Sequence, residues 1–178
     1  GERHSCLVDQ GEVICWGDNA HGQLDVPQNL ANPVMLSAGG YHTCAITDSG
    51  VRCWGRNDDG QTDVPSDLMS PRQLSAGGTH SCVVDNSGLR CWGSNRYGQR
   101  RLPETPDGVE QLLLGRSHAC IRDNNGMQCW GSGSRGQLAI PDDIDRPDEL
   151  ATGDEHVCAR EDDRVMCWGA SNAGQTSV

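Results

Sequence analysis

The 178-residue chain contains 14 arginines, no lysine and 25 acidic residues, which gives a formal net charge of −11. Such an acidic chain is a poor partner for nucleic acids and anionic membranes, and no apolar run approaches the length needed for membrane insertion. Phenylalanine is absent, glycine occurs 23 times and the mean hydropathy is −0.60, so the composition excludes one large aromatic core and favours small, internally tied units.

The sequence repeats with a period of 38 residues, without insertion or deletion. Each unit carries a His-x-Cys segment, a Cys-Trp-Gly triplet and a Gly-Gln pair in the same register. The units span residues 1–38, 39–76, 77–114, 115–152 and 153–178. Together they are predicted to form a single domain over residues 1–178.

Each unit is predicted to contain a β-hairpin. In the second unit, His42–Thr47 and Val51–Gly55 are short strand-forming runs, and Asp48–Gly50 supplies the turn residues between them. A further short strand precedes every hairpin but the first. These strands end in Leu36, Leu74, Leu112 and Leu150. The pattern also allows a fourth strand after each Gly-Gln pair.

Ten cysteines form five pairs, each separated by nine residues. Pairing across the hairpin brings the two sulfurs to a separation that a disulfide can span. Zinc binding by the His-x-Cys segments is the alternative, but evenly spaced cysteines in so short a chain favour disulfides made in an oxidising compartment. We therefore predict no metal site, a secreted, extracellular protein, and the disulfides Cys6–Cys15, Cys44–Cys53, Cys82–Cys91, Cys120–Cys129 and Cys158–Cys167.

A 38-residue antiparallel unit cannot bury both of its faces alone, and radial repetition into a propeller solves this problem. Cys53 and Trp54 are adjacent in a strand and point to opposite faces, so the disulfide can lie on one face while the indole packs against a neighbouring unit. The predicted fold is all-β, a β-propeller of five 38-residue blades, each with an intra-hairpin disulfide.

The first predicted blade lacks its leading strand. Three arrangements accommodate this: the ring closes with one thin blade, the chain is part of a larger propeller, or another chain covers the open edge. We expect a closed ring of five blades, and the open first blade allows an oligomer.

The pattern from Gly39 to Gln61, Gly-x-x-His-Thr-Cys followed by Cys-Trp-Gly-x-Asn-x-x-Gly-Gln, resembles the repeat of the regulator of chromosome condensation family. The resemblance covers all five units and implies a β-propeller whose loops on one face form the working surface. In repeat length, the chain is similar to the secreted bacterial β-lactamase inhibitor proteins of the second type. The acidic, cystine-rich composition does not suit the action on chromatin that is known of the family's founder.

Other side chains that recur in every unit are interpreted as architectural. The five in-register histidines could surround a channel and bind an ion, but we expect each imidazole to bond a backbone group at a tight corner. The five tryptophans could stack on sugars, but we expect most of them to be buried between blades. The sequence contains no catalytic motif, so we predict neither an enzyme nor a cofactor.

The residues that vary between units lie after each Trp-Gly and before each in-register histidine. Diverse loops on a rigid scaffold are typical of a binding face, so we predict a secreted, non-enzymatic scaffold that engages a protein partner, in the manner of an inhibitor. The candidate contacts are Tyr41, Arg56, Asn57, Asp58, Asn95, Arg96, Tyr97 and Arg135. A multivalent carbohydrate-binding lectin and a structural module of a larger surface protein are the alternatives.

Overall fold

The computed structural model of the protein describes residues 1–103, 106 and 108–178. These residues form fourteen β-strands and no helix, so they contain no helix that could cross a membrane. The strands are β1 (His4–Asp9), β2 (Glu12–Gly17), β3 (Met35–Ala38), β4 (His42–Thr47), β5 (Gly50–Gly55), β6 (Gln73–Ala76), β7 (His80–Asp85), β8 (Gly88–Gly93), β9 (Gln111–Leu114), β10 (His118–Asp123), β11 (Gly126–Gly131), β12 (Glu149–Thr152), β13 (His156–Glu161) and β14 (Arg164–Gly169).

The strands form five antiparallel sheets, which are the blades of the predicted propeller. The first blade has only β1 and β2, and the next four are β3-β4-β5, β6-β7-β8, β9-β10-β11 and β12-β13-β14. The hairpin register is the predicted one, with Cys44 opposite Cys53 in β4 and β5. The fourth strand that the pattern allowed after Gly-Gln does not form in the described residues, because turns and irregular segments occupy that position.

All five predicted disulfides are present, and every cysteine is paired. In each hairpin the bridged Cα atoms are 4.1 Å apart and nine residues apart in sequence. Closing a loop of this length stabilises the folded state by roughly 2.5–3 kcal/mol in the chain-entropy account. The disulfides therefore compensate for the small number of apolar residues in each blade.

The hydrophobic core lies between blades rather than inside one of them. In the contact between the second and third blades, Leu74, Val83 and Trp92 pack against Ile46 and the Cys44–Cys53 disulfide. Similar clusters join the third blade to the fourth and the fourth to the fifth. A blade therefore buries its apolar face only when a neighbour is present.

A hydrogen bond from each buried tryptophan fixes the register between blades. The indole Nε1 of the following blade donates to the main-chain oxygen of the glutamine in the preceding Gly-Gln pair. These bonds are Trp54 to Gln23 (3.0 Å), Trp92 to Gln61 (2.9 Å), Trp130 to Gln99 (2.8 Å) and Trp168 to Gln137 (3.2 Å). The burial expected of most tryptophans is confirmed for these four, which are 5–8% exposed.

The row of blades is open, so the expected closed ring of five is wrong. Trp16 is 52% exposed, and within residues 1–103, 106 and 108–178 no hydrogen bond or ion pair joins the first blade to the fifth. A closed ring would bury Trp16 against Gln175, as the four internal contacts bury their tryptophans. The first and fifth blades therefore lack, among the described residues, the contact that joins every other pair of successive blades.

Candidate functional site

The two sets of variable residues meet on one face of the molecule. In every blade the residue after Cys-Trp-Gly donates its main-chain N–H to the residue just before the in-register histidine. These pairs are Asp18 and Arg3, Arg56 and Tyr41, Ser94 and Thr79, Ser132 and Ser117, and Ala170 and Glu155, with N···O distances of 2.8–2.9 Å. We call the resulting surface the loop face. It comprises residues 2–3, 18–21, 40–41, 56–59, 78–79, 94–97, 116–117, 132–135, 154–155 and 170–173.

The backbone of each long loop is held by its own glutamine, and in the first three loops an asparagine holds it as well. In the second blade, the Gln61 Oε1 atom accepts the N–H of Asp59 at 2.9 Å. Asn57 donates to Asp63 at 2.7 Å and accepts from the N–H of Thr62 at 2.9 Å. The predicted contacts Asn57 and Asn95 are thus both occupied inside their own loops, since Asn95 accepts the N–H of Arg100 at 2.9 Å.

An aromatic cluster lies where the first two blades meet. The His21 and Tyr41 rings pack edge to face with their centroids 5.1 Å apart, and the Arg56 guanidinium lies 6.0 Å from the Tyr41 ring centroid. Arg56 also pairs with Asp58 at 2.7 Å. The structure therefore brings three predicted contact residues together and adds His21, which was not among the predicted contacts. Comparing the loop after Trp-Gly in one unit with the residue before the histidine in the next unit could have indicated the contact between His21 and Tyr41.

A second part of the loop face lies between the third and fourth blades. An open pocket of about 570 Å³ is lined by Asn95–Gly98, Arg101, Cys129–Gly131 and Leu138. Two predicted contact residues are at its rim and project into solvent, since the Tyr97 residue is 60% exposed and the Arg96 side chain 79% exposed. This pocket combines an exposed aromatic ring with an exposed guanidinium group, and Tyr and Arg are both enriched at protein interfaces.

The third and fourth blades make the loop face locally basic. They contribute three arginines and no carboxylate to it. Their nearest carboxylates come from other blades: Arg96 lies 3.8 Å from Asp59, Arg116 lies 3.9 Å from Glu2, and Arg135 lies 3.7 Å from Glu155. Exposed pairs of this length contribute little to stability, so the guanidinium groups are available to another carboxylate at small cost.

A depression of about 660 Å³ lies at the inner ends of the blades on this side. Its lining is mostly backbone, from the segments just before the in-register histidines. These segments are Gly1–Arg3, Ala38–Tyr41, Ala76–Gly78, Leu114–Arg116 and Thr152–Asp154. Glycine is required there because a Cβ on Gly39 would lie 2.4 Å from the main-chain oxygen of Gly77. The charged residues that line the depression are Glu2, Arg3, Arg116 and Asp154.

Four of the five in-register histidines, His4, His42, His80 and His118, are buried, and His156 is half-buried. The expected bond from each imidazole to a backbone group is wrong for the four buried ones. His4 Nε2 bonds the Thr43 hydroxyl of the next blade at 2.8 Å. That hydroxyl donates to the Gln23 main-chain oxygen at 3.3 Å, so it accepts from Nε2–H. His42 and Ser81 repeat this arrangement at 2.8 Å.

The imidazoles of the third and fourth blades have no such hydroxyl. Residue 119 is alanine and residue 157 is valine, and both ring nitrogens of His80 and His118 are buried without a partner among the described residues. Burial disfavours the imidazolium form and, together with the neighbouring imidazoles, lowers the pKa of His80 to about 3 and the pKa of His118 to about 4.

The described residues offer no ready-made metal site. No group of three or more His, Cys, Asp or Glu side chains among residues 1–103, 106 and 108–178 is placed to hold an ion. The prediction that the chain is not an enzyme remains a prediction.

The sequence of the first three units matches a known repeat. Residues 1–23, 36–61 and 72–99 match the family described as the Regulator of chromosome condensation (RCC1) repeat. The first three units of the chain are similar to RCC1-type repeats. The fourth and fifth units share the register, the disulfide and the three-stranded blade of these RCC1-type repeats. No curated protein matches the chain significantly in sequence.

Solved structures show the same RCC1-type propeller fold. The ectodomain of the receptor kinase CR4 from Physcomitrella patens matches 95% of this chain and 48% of its own, at 22% identity and a TM-score of 0.76. The CRINKLY WD40 ectodomain of the Arabidopsis thaliana receptor kinase ACR4 matches 95% and 62%, at 24% identity and a TM-score of 0.73.

A third structure extends the likeness to a protein with described partners. Prp20p from Saccharomyces cerevisiae, for which binding to Gsp1p and histones is described, matches 97% of this chain and 56% of its own, at 19% identity and a TM-score of 0.76. The chain thus spans 48–62% of the length of these three structures. At these identities the likeness establishes the fold.

Proposed function

We propose that the chain is a secreted, non-enzymatic scaffold that binds a protein partner through the loop face. The observation that carries the proposal is the meeting of two variable sets of residues on one face of a disulfide-stapled frame. A rigid frame lowers the entropy lost on binding, and exposed Tyr and Arg side chains are frequent hot spots. Tyr97, Arg96 and Arg135 are the central contacts of this proposal.

The disulfides and the similar structures support the extracellular setting and the protein partner. Five disulfides are typical of an oxidising compartment, and two of the similar structures are ectodomains of receptor kinases. Prp20p, with the same fold, binds proteins. A single composite site also fits the loops better than five equivalent sugar sites, because the residues that end them differ: His21, Asp59, Tyr97, Arg135 and Ala173.

The test is site-specific capture with the oxidised protein. A photo-crosslinking amino acid at position 97 is expected to capture a protein from the extracellular fluid of the source organism. The same crosslinker at Asn86, in the exposed hairpin turn at the far end of the same blade, serves as the control. Capture that is equal at the two positions, or absent at position 97, contradicts the proposal.

The captured protein then allows an affinity measurement. We expect the variant Arg96→Ala/Tyr97→Ala/Arg135→Ala to bind it at least about 10-fold more weakly, because truncation of hot-spot side chains costs more than 1 kcal/mol each. Arg164→Ala, an exposed arginine at the turn end of the fifth hairpin, is the matched control and should bind like the parent. A glycan array that shows several equivalent sites per molecule would replace this proposal with the lectin.

A further inference from the structure

The loops that follow Trp-Gly in the first two blades are closed by the same pair of side chains. In the first loop (residues 18–25), Asn19 donates from Nδ2 to the Asp25 carboxylate at 2.9 Å. In the second loop (residues 56–63), Asn57 donates to the Asp63 carboxylate at 2.7 Å. The amide oxygen of each asparagine accepts a main-chain N–H of its own loop, which fixes the orientation of the amide. A carboxylate thus satisfies the amide donor in both loops.

The third loop (residues 94–101) keeps the asparagine but lacks the carboxylate. Asn95 still accepts the main-chain N–H of Arg100 at 2.9 Å, so its amide is oriented as in the first two loops. Arg101 occupies the position of the two aspartates, and the Asn95 Nδ2 atom has no acceptor among the described residues. The later loops have lost both members of the pair. Their residues at these positions are Gly133 and Ala139, and Ser171 and Ser177.

Arg101 follows the main-chain path of the aspartates that it replaces. Its N–H donates to the Gly98 main-chain oxygen at 2.9 Å, and the Asp63 N–H donates to that of Gly60 at 3.1 Å. A Cβ on Gly98 would lie 3.4 Å from Arg101 Cδ, and a Cβ on Gly60 would lie 3.1 Å from the Asp63 carboxylate. The side chain therefore begins where the carboxylate lies in the second loop. The third loop thus has a guanidinium group in place of an acceptor.

The pocket between the third and fourth blades collects these donors. Asn95, Arg96 and Arg101 line it, and no carboxylate does. Arg101 is exposed and forms no ion pair within the described part of the chain, and Arg96 lies 3.8 Å from its nearest carboxylate. The lining also includes an exposed aromatic ring, Tyr97, and the apolar side chain of Leu138. An anion joined to an apolar group is the ligand that matches this set of side chains.

We propose that this pocket binds a carboxylate of the protein partner, from an Asp or Glu side chain that has an apolar neighbour. The carboxylate would accept from Asn95 and Arg101, as the carboxylate of Asp63 accepts from Asn57, and the apolar neighbour would contact Leu138. Guanidinium groups hold carboxylates through charge-assisted hydrogen bonds. The inference rests on the partner binding proposed for the loop face and specifies the chemistry of the partner.

Two peptides that differ in one group test the charge of the occupant. The probes are acetyl-Gly-Leu-Glu-Leu-Gly amide and the same peptide with Gln in place of Glu. Each is titrated into the isotope-labelled, oxidised protein and followed by nuclear magnetic resonance. We expect the Glu peptide to shift the side-chain N–H signals of Asn95 and Arg101 saturably, with a Kd on the order of 1 mM. The Gln peptide should bind at least about 10-fold more weakly, because a charge-assisted hydrogen bond is roughly twice as strong as a neutral one.

The variant Arg101→Asp tests the site from the side of the protein. Its new carboxylate would accept from Asn95, as in the first two loops, so the variant should fold like the parent, which circular dichroism verifies. We expect it to bind the Glu peptide at least about 10-fold more weakly. Arg72→Asp is the matched control, because it makes the same change of charge at an exposed arginine at the opposite end of the third blade. This control should bind the peptide like the parent.

Four outcomes overturn the proposal. They are equal binding of the two peptides, unshifted Asn95 and Arg101 signals up to about 20 mM Glu peptide, an Arg101→Asp variant that binds like the parent, and a sulfated disaccharide that binds this pocket more tightly than the Glu peptide. The last result would make the occupant a sulfated sugar.

Capture by the crosslinker at position 97 separates this inference from the proposed function. Capture that the Arg101→Asp change leaves at the parent level would contradict the carboxylate site and leave the loop-face function in place. Absence of capture by a protein whose Asn95 and Arg101 signals still respond to the Glu peptide would contradict the loop-face function and support the carboxylate site.

Discussion

Whether a buried imidazole has a hydrogen-bond partner depends on one side-chain atom of the next blade. His4 meets the Thr43 hydroxyl at 2.8 Å, whereas His118 has Val157 at the equivalent position and two unpartnered ring nitrogens. A buried polar group without a partner costs roughly 1–3 kcal/mol. The acceptor for a new hydroxyl is already present, because the Gln137 main-chain oxygen accepts from an indole as Gln23 does.

We therefore predict that Val157→Thr stabilises the protein. Threonine has nearly the shape of valine, and its hydroxyl would accept from His118 Nε2–H and donate to Gln137, as in the first contact. The expected gain is about 1 kcal/mol in the free energy of unfolding, measured by urea denaturation with the disulfides intact. Val83→Thr is the matched control, because Val83 is fully buried within an apolar cluster and should lose about 1–3 kcal/mol. Equal destabilisation by both changes would contradict this account.

At the scale of the blade, the indole and the glutamine main-chain oxygen carry the contact between elements. Trp92 is 5% exposed and donates to Gln61 at 2.9 Å, whereas Trp16 is exposed with no such bond. Tryptophan at the same position of the repeat is thus buried in one blade and exposed in another. Comparing the two therefore measures how much the contact with a neighbouring blade contributes to stability.

Trp92→Phe and Trp16→Phe should consequently differ in effect. The first removes a buried hydrogen bond and leaves space beside Ile46, so we expect a loss of about 1–3 kcal/mol. The second changes an exposed ring and should cost less than about 0.5 kcal/mol at concentrations where the protein is monomeric. Urea denaturation followed by far-ultraviolet circular dichroism compares the two. A similar loss for both would mean that the indole stabilises its own hairpin rather than the contact.

The hairpins were predictable from sequence because two constraints act locally. The spacing of Cys44 and Cys53 fixes the register, and the turn at Asp48–Gly50 fixes the direction reversal. Contacts between units were harder to predict. The partners of His4 and His21 are Thr43 and Tyr41 in the next blade, and a sequence gives no distance between side chains that different units supply.

For the whole molecule, ring closure was the prediction that failed. Closure depends on how successive blades pack through side chains such as Leu74 and Trp92, and a repeat length does not specify that packing. The count of five units was correct, but it did not determine whether Trp16 and Gln175 would meet. The position of the loop face followed from the repeat, since topology alone puts the loop after Trp-Gly beside the residue before each histidine.

The row of buried histidines crosses several blades and makes the stability of the whole molecule sensitive to acid. Burial lowers the pKa of His42 and His118 to about 4 and that of His80 to about 3, whereas an unfolded histidine titrates near 6.5. Between those values the unfolded chain binds more protons than the folded one. The stabilisation is therefore complete above pH 6.5 and declines as the pH falls toward 4.

We predict that the melting temperature falls steadily from pH 7.5 to pH 4.5, with each of these imidazoles contributing on the order of 1–2 kcal/mol of lost stability by pH 5. Differential scanning calorimetry of the oxidised protein measures the effect. His21→Asn, at an exposed histidine, should keep the full slope, whereas His80→Asn should reduce it because one buried site no longer titrates. A melting temperature that is constant over this range would mean that the folded protein takes up protons at these imidazoles as readily as the unfolded chain. In that case burial would not keep the imidazoles neutral in the folded protein.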